Sequence, residues 1–255
     1  MSVAIITGAT SGIGKAFAWR FARAGHDVVL VARHEDSLAV LAQEIEQYTE
    51  VNAQILPADL SLEQGIRTVC ERIDDMTNPC AVLVHAAGFA LGTEFTTNIE
   101  AREQDGLRVM VEATMRLNYH AAQSMQKRGA GAIINLSSMA ARMDAGTYSA
   151  HKAWVLSFSL ALADELRADN IRVLAVTPGP VKTAFFDYAG NSANAMPAFF
   201  WVSADQIVDA ALHALAQGKA QVTPGILQSI TMAAMKIVPS VVVRTISRGG
   251  AIPHL

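Results

Sequence analysis

Short apolar runs without alternation recur along this chain, each followed by a longer stretch with helical spacing. Val3 to Thr7, Val28 to Ala32, Gln54 to Pro57, Ala81 to Val84, Ala132 to Leu136, Val173 to Val176 and a weaker Ala220 to Thr223 read as strands. A strand that is apolar at every position has both faces covered, as in a parallel sheet held between two layers of helices. The periodic segments Ile13 to Ala24, Asp36 to Gln47, Leu62 to Asp74, Glu100 to Lys127 and Tyr148 to Ala168 supply those layers. Ser61 and Ser203 stand where helix N-caps are useful. This alternation predicts an α/β fold with a doubly wound, mainly parallel sheet. No repeat, low-complexity tract or Pro/Gly-rich linker divides residues 1–255, so a single domain is expected.

The first strand ends in Thr7-Gly8-Ala9-Thr10-Ser11-Gly12-Ile13-Gly14, and a helical pattern begins at once. Gly8 permits a tight turn, Gly12 lets the backbone approach a pyrophosphate, and Gly14 lets helix and strand pack closely. The free amides of the helix start then face phosphates. Gly8, Thr10, Ser11, Gly12, Ile13 and Gly14 are therefore candidate dinucleotide contacts in a Rossmann-type fold. The second strand ends in Val31-Ala32-Arg33. An acidic residue here accepts hydrogen bonds from an adenosine ribose, whereas Arg33 offers a cation suited to a 2′-phosphate. NADP(H) is expected over NAD(H).

Tyr148-Ser149-Ala150-His151-Lys152 opens the last long helical stretch. Tyrosine and lysine four residues apart project from one helix face. A cation beside a phenol favours the phenolate and makes the tyrosine a better proton exchanger near neutral pH. Upstream, the strand ending at Leu136 runs into Ser137-Ser138, at the carboxyl edge where such sheets keep their sites. A hydroxyl there holds a substrate carbonyl.

Composition removes several alternatives. With 51% hydrophobic and 17% charged residues the chain is not disordered, and a net charge of −3 gives no reason to expect nucleic acid. Cys70 and Cys80 make no disulfide framework, and no Cys/His cluster has metal-ligand spacing. Two free thiols fit a reducing, cytoplasmic setting. The N-terminus has no positively charged leader, and the apolar stretch Ile226 to Val243 is interrupted by Gln228, Lys236 and Pro239, so no spanning helix is expected.

These motifs, in this order, resemble the single-domain short-chain dehydrogenases/reductases over roughly residues 3 to 224. Thr7 to Gly14 matches the family's glycine turn. Ala58-Asp59-Leu60 matches the acidic segment after the third strand that contacts adenine. His85-Ala86-Ala87-Gly88 stands where the family has Asn-Asn-Ala-Gly. Ser138, Tyr148 and Lys152 match its catalytic triad, and Pro178-Gly179-Pro180-Val181-Lys182-Thr183 its nicotinamide-holding segment. The resemblance implies cofactor contacts from Asp59, Leu60, Ala86, Ala87, Gly88, Tyr148, Lys152, Pro178, Gly179, Val181 and Thr183. It implies an NADP(H)-dependent carbonyl reductase or alcohol dehydrogenase. Hydride passes between the nicotinamide and a ketone, aldehyde or secondary alcohol, Tyr148 transfers the proton, Ser138 orients the oxygen, and Lys152 holds the ribose. Phe185, Phe186, Tyr188, Phe199, Phe200 and Trp201 fall in the family's substrate cover, about residues 184–205, and imply a hydrophobic substrate.

The chain departs from the family in three places. Met110 takes the position of a helix asparagine that supports a proton relay, and Asn118 is about 12 Å further along the helix. His85 and Ala86 replace two asparagines, and His85 reads best as a packed, hydrogen-bonded residue. The Ser138–Tyr148 loop is short, which leaves Ser137 as an alternative to Ser138. The resemblance also implies a homodimer or homotetramer through Glu100 to Lys127 and Tyr148 to Ala168, with Trp154, Leu156, Phe158 and Leu162 fitting either interface or core. The apolar tail, about residues 225–255, carries Leu227, Ile230, Met235, Ile237 and Val238 on one side; packing on the site or on another subunit is expected, with peripheral bilayer contact as an alternative. A non-catalytic NADP(H)-binding sensor or scaffold, and an epimerase or dehydratase on the same fold, are the competing functions.

Overall fold

Each apolar run forms a strand, and all seven lie parallel in one sheet of order β3-β2-β1-β4-β5-β6-β7. They are β1 Val3–Thr7, β2 Asp27–Ala32, β3 Ala53–Pro57, β4 Cys80–His85, β5 Gly131–Leu136, β6 Ile171–Val176 and β7 Gln221–Val222. This computed structural model describes residues 2–92, 94–143, 146–181 and 201–237. Helices α1 Gly12–Arg23, α2 Glu35–Tyr48 and α7 Ala204–Ala216 cover one face, where Ala4, Ile6, Leu30 and Leu174 meet Phe17, Leu38, Ile45 and Ile207. On the other face Ile5, Val29, Leu83 and Ile133 pack on α3 Glu63–Asp74, α5 Ala113–Arg128 and α6 Gly146–Glu165. Successive strand residues thus serve opposite cores, which is why the runs show no alternation.

The chain winds outward from β1 through β2 to β3, then returns to place β4 against the other side of β1. The reversal opens a crevice beyond the carboxyl ends of β1 and β4, where ligands of such sheets bind. Thr7 and His85 are register partners at that edge.

Three local expectations change, and one holds. The helix expected from Glu100 to Lys127 is broken into α4 Glu100–Leu107, a π-helical turn Arg108–Glu112, and α5. Side chains claim carbonyls of that turn: His85 Nε2 lies 3.2 Å from Val109 O, and Thr114 Oγ1 donates to Met110 O at 2.7 Å. Ser61 does not cap α3. Leu62 is the N-cap residue, while the Ser61 hydroxyl and amide both donate to Asp59 Oδ1. Ser203 does cap α7, in a capping box with Gln206. The apolar stripe expected in the tail does not form one buried face on helix α8 Ile226–Ile237: Ile230 is exposed, Leu227 and Met235 are half-buried, and Met232 is the residue buried beside Ala141 and Leu156. Leu156 is therefore core, whereas Trp154 and Phe158 stack half-buried at 4.8 Å. Val238 and the residues after it lie outside the described part. Among the described residues no helix is long and apolar enough to cross a membrane.

A buried amide pair locks the two long helices to the sheet. Asn118 Nδ2 of α5 donates to Asn135 Oδ1 of β5 at 3.0 Å, and Asn135 Nδ2 returns a bond to Asn118 Oδ1 at 2.8 Å and another to Ser159 Oγ of α6 at 3.0 Å. Removing one partner strands the others away from water. Asn135→Ala is expected to lower unfolding free energy by about 1–3 kcal/mol, read as a shift in denaturant midpoint.

Candidate active site

The site begins where β1 gives way to α1. Gly8 turns with φ +66°, a left-handed conformation that L side chains resist, and a Cβ there would lie 3.0 Å from the Ala87 nitrogen. At Gly14 a Cβ would overlap the Gly8 carbonyl, so the first turn of α1 sits directly on the loop. Ser11 is the N-cap residue and makes no side-chain cap, leaving the first-turn amides directed outward. Arg33 is exposed just past β2, and Asp59 is half-buried just past β3. One carboxylate oxygen of Asp59 is held by Ser61, which fixes the group at the crevice edge. Leu60 is buried in the core, so only its backbone faces a ligand. This cradle, too tight for side chains and bordered by the amides of a helix start, fits a dinucleotide.

A polar node ties the cradle to the rest of the site. Thr7 Oγ1 accepts from the amides of Ala86 and Ala87, both at 3.2 Å, and lies 3.0 Å from His85 Nδ1. With both acceptor positions taken, the hydroxyl proton points at Nδ1. His85 therefore carries its own proton on Nε2 and donates it to Val109 O. Burial and the nearby Lys152 charge push the imidazole down to about 4, so it stays neutral. The ring is the packed, doubly bonded histidine expected. The Ala86 and Ala87 amides are already spent on Thr7.

The chemical groups gather at the carboxyl end of β5. Ser137 and Ser138 divide: Ser137 is buried and donates to the Lys152 carbonyl at 2.7 Å, bracing α6, while half-buried Ser138 hydrogen-bonds Tyr148. Ser138 Oγ also accepts from Ala140 N at 3.1 Å, capping the 3-10 turn Met139–Arg142. Lys152 Nζ donates to Leu136 O at 2.8 Å and lies 5.8 Å from the Tyr148 ring centroid. Burial lowers its pKa to about 8. The tyrosine departs from expectation. Burial raises its pKa, and the hydrogen bond with Ser138 only partly opposes this. Tyr148 is held as a proton donor.

Behind these groups the Met110 side chain is buried against Leu91, Ala140 and Tyr148, with Gly88 abutting both Met110 and Lys152 Nζ. Asn118 is committed to the core pair and does not reach the site. His151 is buried, and its Nδ1 has no partner among the described residues. Pro178 O accepts from Met139 N at 3.0 Å, setting the Pro178–Gly179 segment across from Ser138. Val181 is bridged to Val202. Thr183, Phe185, Phe186, Tyr188, Phe199 and Phe200, and with them most of the expected cover, lie outside the described residues. Sequence reading did not find Arg102, whose guanidinium binds the loop after β4; nothing local in the sequence ties it to Leu91, eleven residues before it.

Comparison with known proteins bears on this arrangement. The short chain dehydrogenase family matches residues 2–193. A sulfoacetaldehyde reductase 2 of Chromohalobacter salexigens is 31% identical over 188 residues, 72% of this chain and 74% of that protein. A very-long-chain 3-oxoacyl-CoA reductase of Laccaria bicolor is 35% identical over 180 residues, 67% of this chain; the match spans 52% of that longer protein. A short-chain dehydrogenase from Sphingobium yanoikuyae, solved in complex with NADPH, superposes with a TM-score of 0.83 at 30% identity, covering 94% of this chain and 96% of that one.

The buried lysine makes stability depend on pH with a definite sign. Below about 8 Lys152 is charged in both folded and unfolded chains, and its burial is unfavourable. Between about 8 and the ordinary value of 10.5 the folded protein has released a proton that the unfolded chain retains, so the contribution of this group rises with pH. The stability difference between wild type and Lys152→Met is expected to shift towards wild type from pH 7.5 to 9.5, measured by urea midpoints at each pH.

Proposed function

This chain belongs to the short-chain dehydrogenase/reductase family, and from that premise we propose that it is an NADP(H)-dependent carbonyl reductase or alcohol dehydrogenase acting on hydrophobic ketones, aldehydes or secondary alcohols. The observation that carries the reading is the meeting of Ser138, Tyr148 and Lys152 at the carboxyl end of β5, in the crevice that the glycine turn also borders.

Gly8, Thr10, Ser11, Gly12, Ile13 and Gly14 would hold the pyrophosphate end of the cofactor, with Asp59 and the Leu60 backbone at the adenine. Ala86, Ala87 and Gly88 would line its middle, and Tyr148, Lys152, Pro178, Gly179, Val181 and Thr183 the nicotinamide end. When bound, the nicotinamide supplies or accepts the hydride. The remaining work falls to the chain. Ser138 holds the substrate oxygen by a hydrogen bond, and Tyr148 delivers its proton to that oxygen or recovers it in the reverse direction. Raised by burial, Tyr148 is protonated at neutral pH, the state that reduction requires. Lys152, charged below about 8, binds ribose hydroxyls and adds a positive potential where oxyanion character develops.

Two features support the finer assignments. Arg33 is exposed where a 2′-phosphate would lie, and a structural relative was solved with NADPH. The substrate side is apolar, with Phe89, Leu91, Met143 and Tyr148 in one cluster. A homodimer or homotetramer would use α5 and α6, where Met115, Tyr119 and the Trp154–Phe158 stack meet solvent.

Tyr148→Phe is expected to lower kcat by about 10²–10⁴ while leaving the NADPH dissociation constant within about twofold; turnover at the wild-type rate would contradict the mechanism. Arg33→Ala is expected to weaken NADPH by roughly 10–100-fold with little change for NADH, read by fluorescence titration.

A further inference from the structure

The loop after β4 is fastened from outside by one side chain. Arg102, on α4, donates from Nε to Leu91 O at 3.2 Å and from Nη2 to Ala90 O at 3.0 Å, and its guanidinium carbon lies 5.7 Å from the Phe89 ring centroid. Three consecutive residues are thus held by one planar group. Arg102 forms no ion pair with a carboxylate among the described residues, and the two donors seen to bond both go to backbone carbonyls. A guanidinium presents parallel donors that match two adjacent carbonyls; a lysine ammonium on a flexible stem does not hold such a pair in one plane.

One helical turn further along α4, Gly106 supplies a notch. A Cβ there would stand 3.0 Å from Leu91 Cδ2 and 3.5 Å from His151 Cε1. Leu91 is accordingly seated twice, its carbonyl by Arg102 and its side chain by Gly106. That seating aims it at the chemistry, since Leu91 packs in one cluster with Met110, Ala140 and Tyr148, and Phe89 and Met143 pack against the same cluster.

We propose that Arg102 is a positioning residue for specificity: with Gly106 it seats the buried Leu91 and so fixes half-buried Phe89 as an apolar wall beside Tyr148, and the wall selects carbonyl substrates with a flat or branched apolar substituent next to the carbonyl. The inference rests on the carbonyl-reductase reading and deepens it. The wall determines where the substrate's apolar substituent lies relative to the tyrosine proton, and small displacements of such a surface alter productive binding. A small ketone, which touches little of the wall, does not register them.

The test compares NADPH consumption with acetophenone and with 2-butanone for wild type, Arg102→Met, Arg102→Lys and Gly106→Ala. Expected for Arg102→Met is a KM for acetophenone raised about tenfold or more, with kcat/KM for 2-butanone and the NADPH dissociation constant within about threefold. Arg102→Lys recovers only part of the loss. Gly106→Ala, which pushes Leu91 off its seat without touching the guanidinium, shows the same selective loss. An unchanged acetophenone/2-butanone ratio in both Arg102→Met and Gly106→Ala, with NADPH still bound, overturns the proposal while leaving the reductase reading intact. Wild type that binds NADPH and reduces neither ketone overturns the reading on which it rests.

Discussion

The Thr7 hydroxyl is the point on which the site is hung. It sits at the end of β1, accepts the Ala86 and Ala87 amides at the end of β4, and donates to His85. Through His85 Nε2 the same network reaches the Val109 carbonyl in the π-helical turn. Three segments that would otherwise end independently are joined there: the glycine turn, the loop after β4 that carries Phe89 and Leu91, and the helix turn carrying Met110. Each buried polar atom in the node has a partner, so the arrangement is stiff, and breaking one link leaves a desolvated group unpaired.

A division of labour between similar residues follows from this scaffold. Ser137 and Ser138 are neighbours, yet one hydroxyl braces α6 and the other faces the tyrosine. The Lys152 backbone carbonyl receives Ser137 and its ammonium binds the Leu136 carbonyl, so both ends of that residue are tied to β5. Its charge is thereby placed by the sheet, and the depressed value of about 8 is a consequence of that burial. The tyrosine is placed by α6 and kept protonated by the apolar cluster around it. Preorganisation of this kind, more than any single strong contact, is what the fold contributes to hydride chemistry supplied by a cofactor.

Much of this was legible in the residues themselves. Continuous apolar runs place every strand within two residues of its observed bounds, because burial on both faces leaves no room for polar positions. The glycine turn was legible because Gly8 and Gly14 answer to local sterics. What escaped depends on partners remote in sequence. The break in the Glu100–Lys127 helix involves a histidine from β4, the seat of Leu91 depends on Arg102 and Gly106, and the choice between Ser137 and Ser138 depends on where α6 lies. Ser61 looked like a cap because its neighbours suit one, but Asp59 captures its hydroxyl first. Helical spacing places lysine near tyrosine, whereas the Leu136 carbonyl that holds the ammonium comes from β5, sixteen residues upstream of that lysine.

The proposed role of the crevice beyond β1 and β4 is to bind one NADPH per chain and to discriminate its extra phosphate. Isothermal titration of the purified chain with NADPH and then NADH tests it directly. One NADPH per chain is expected, with NADPH bound about tenfold or more tightly than NADH, a difference of about 1.4 kcal/mol or greater. No saturable heat with either nucleotide would contradict it.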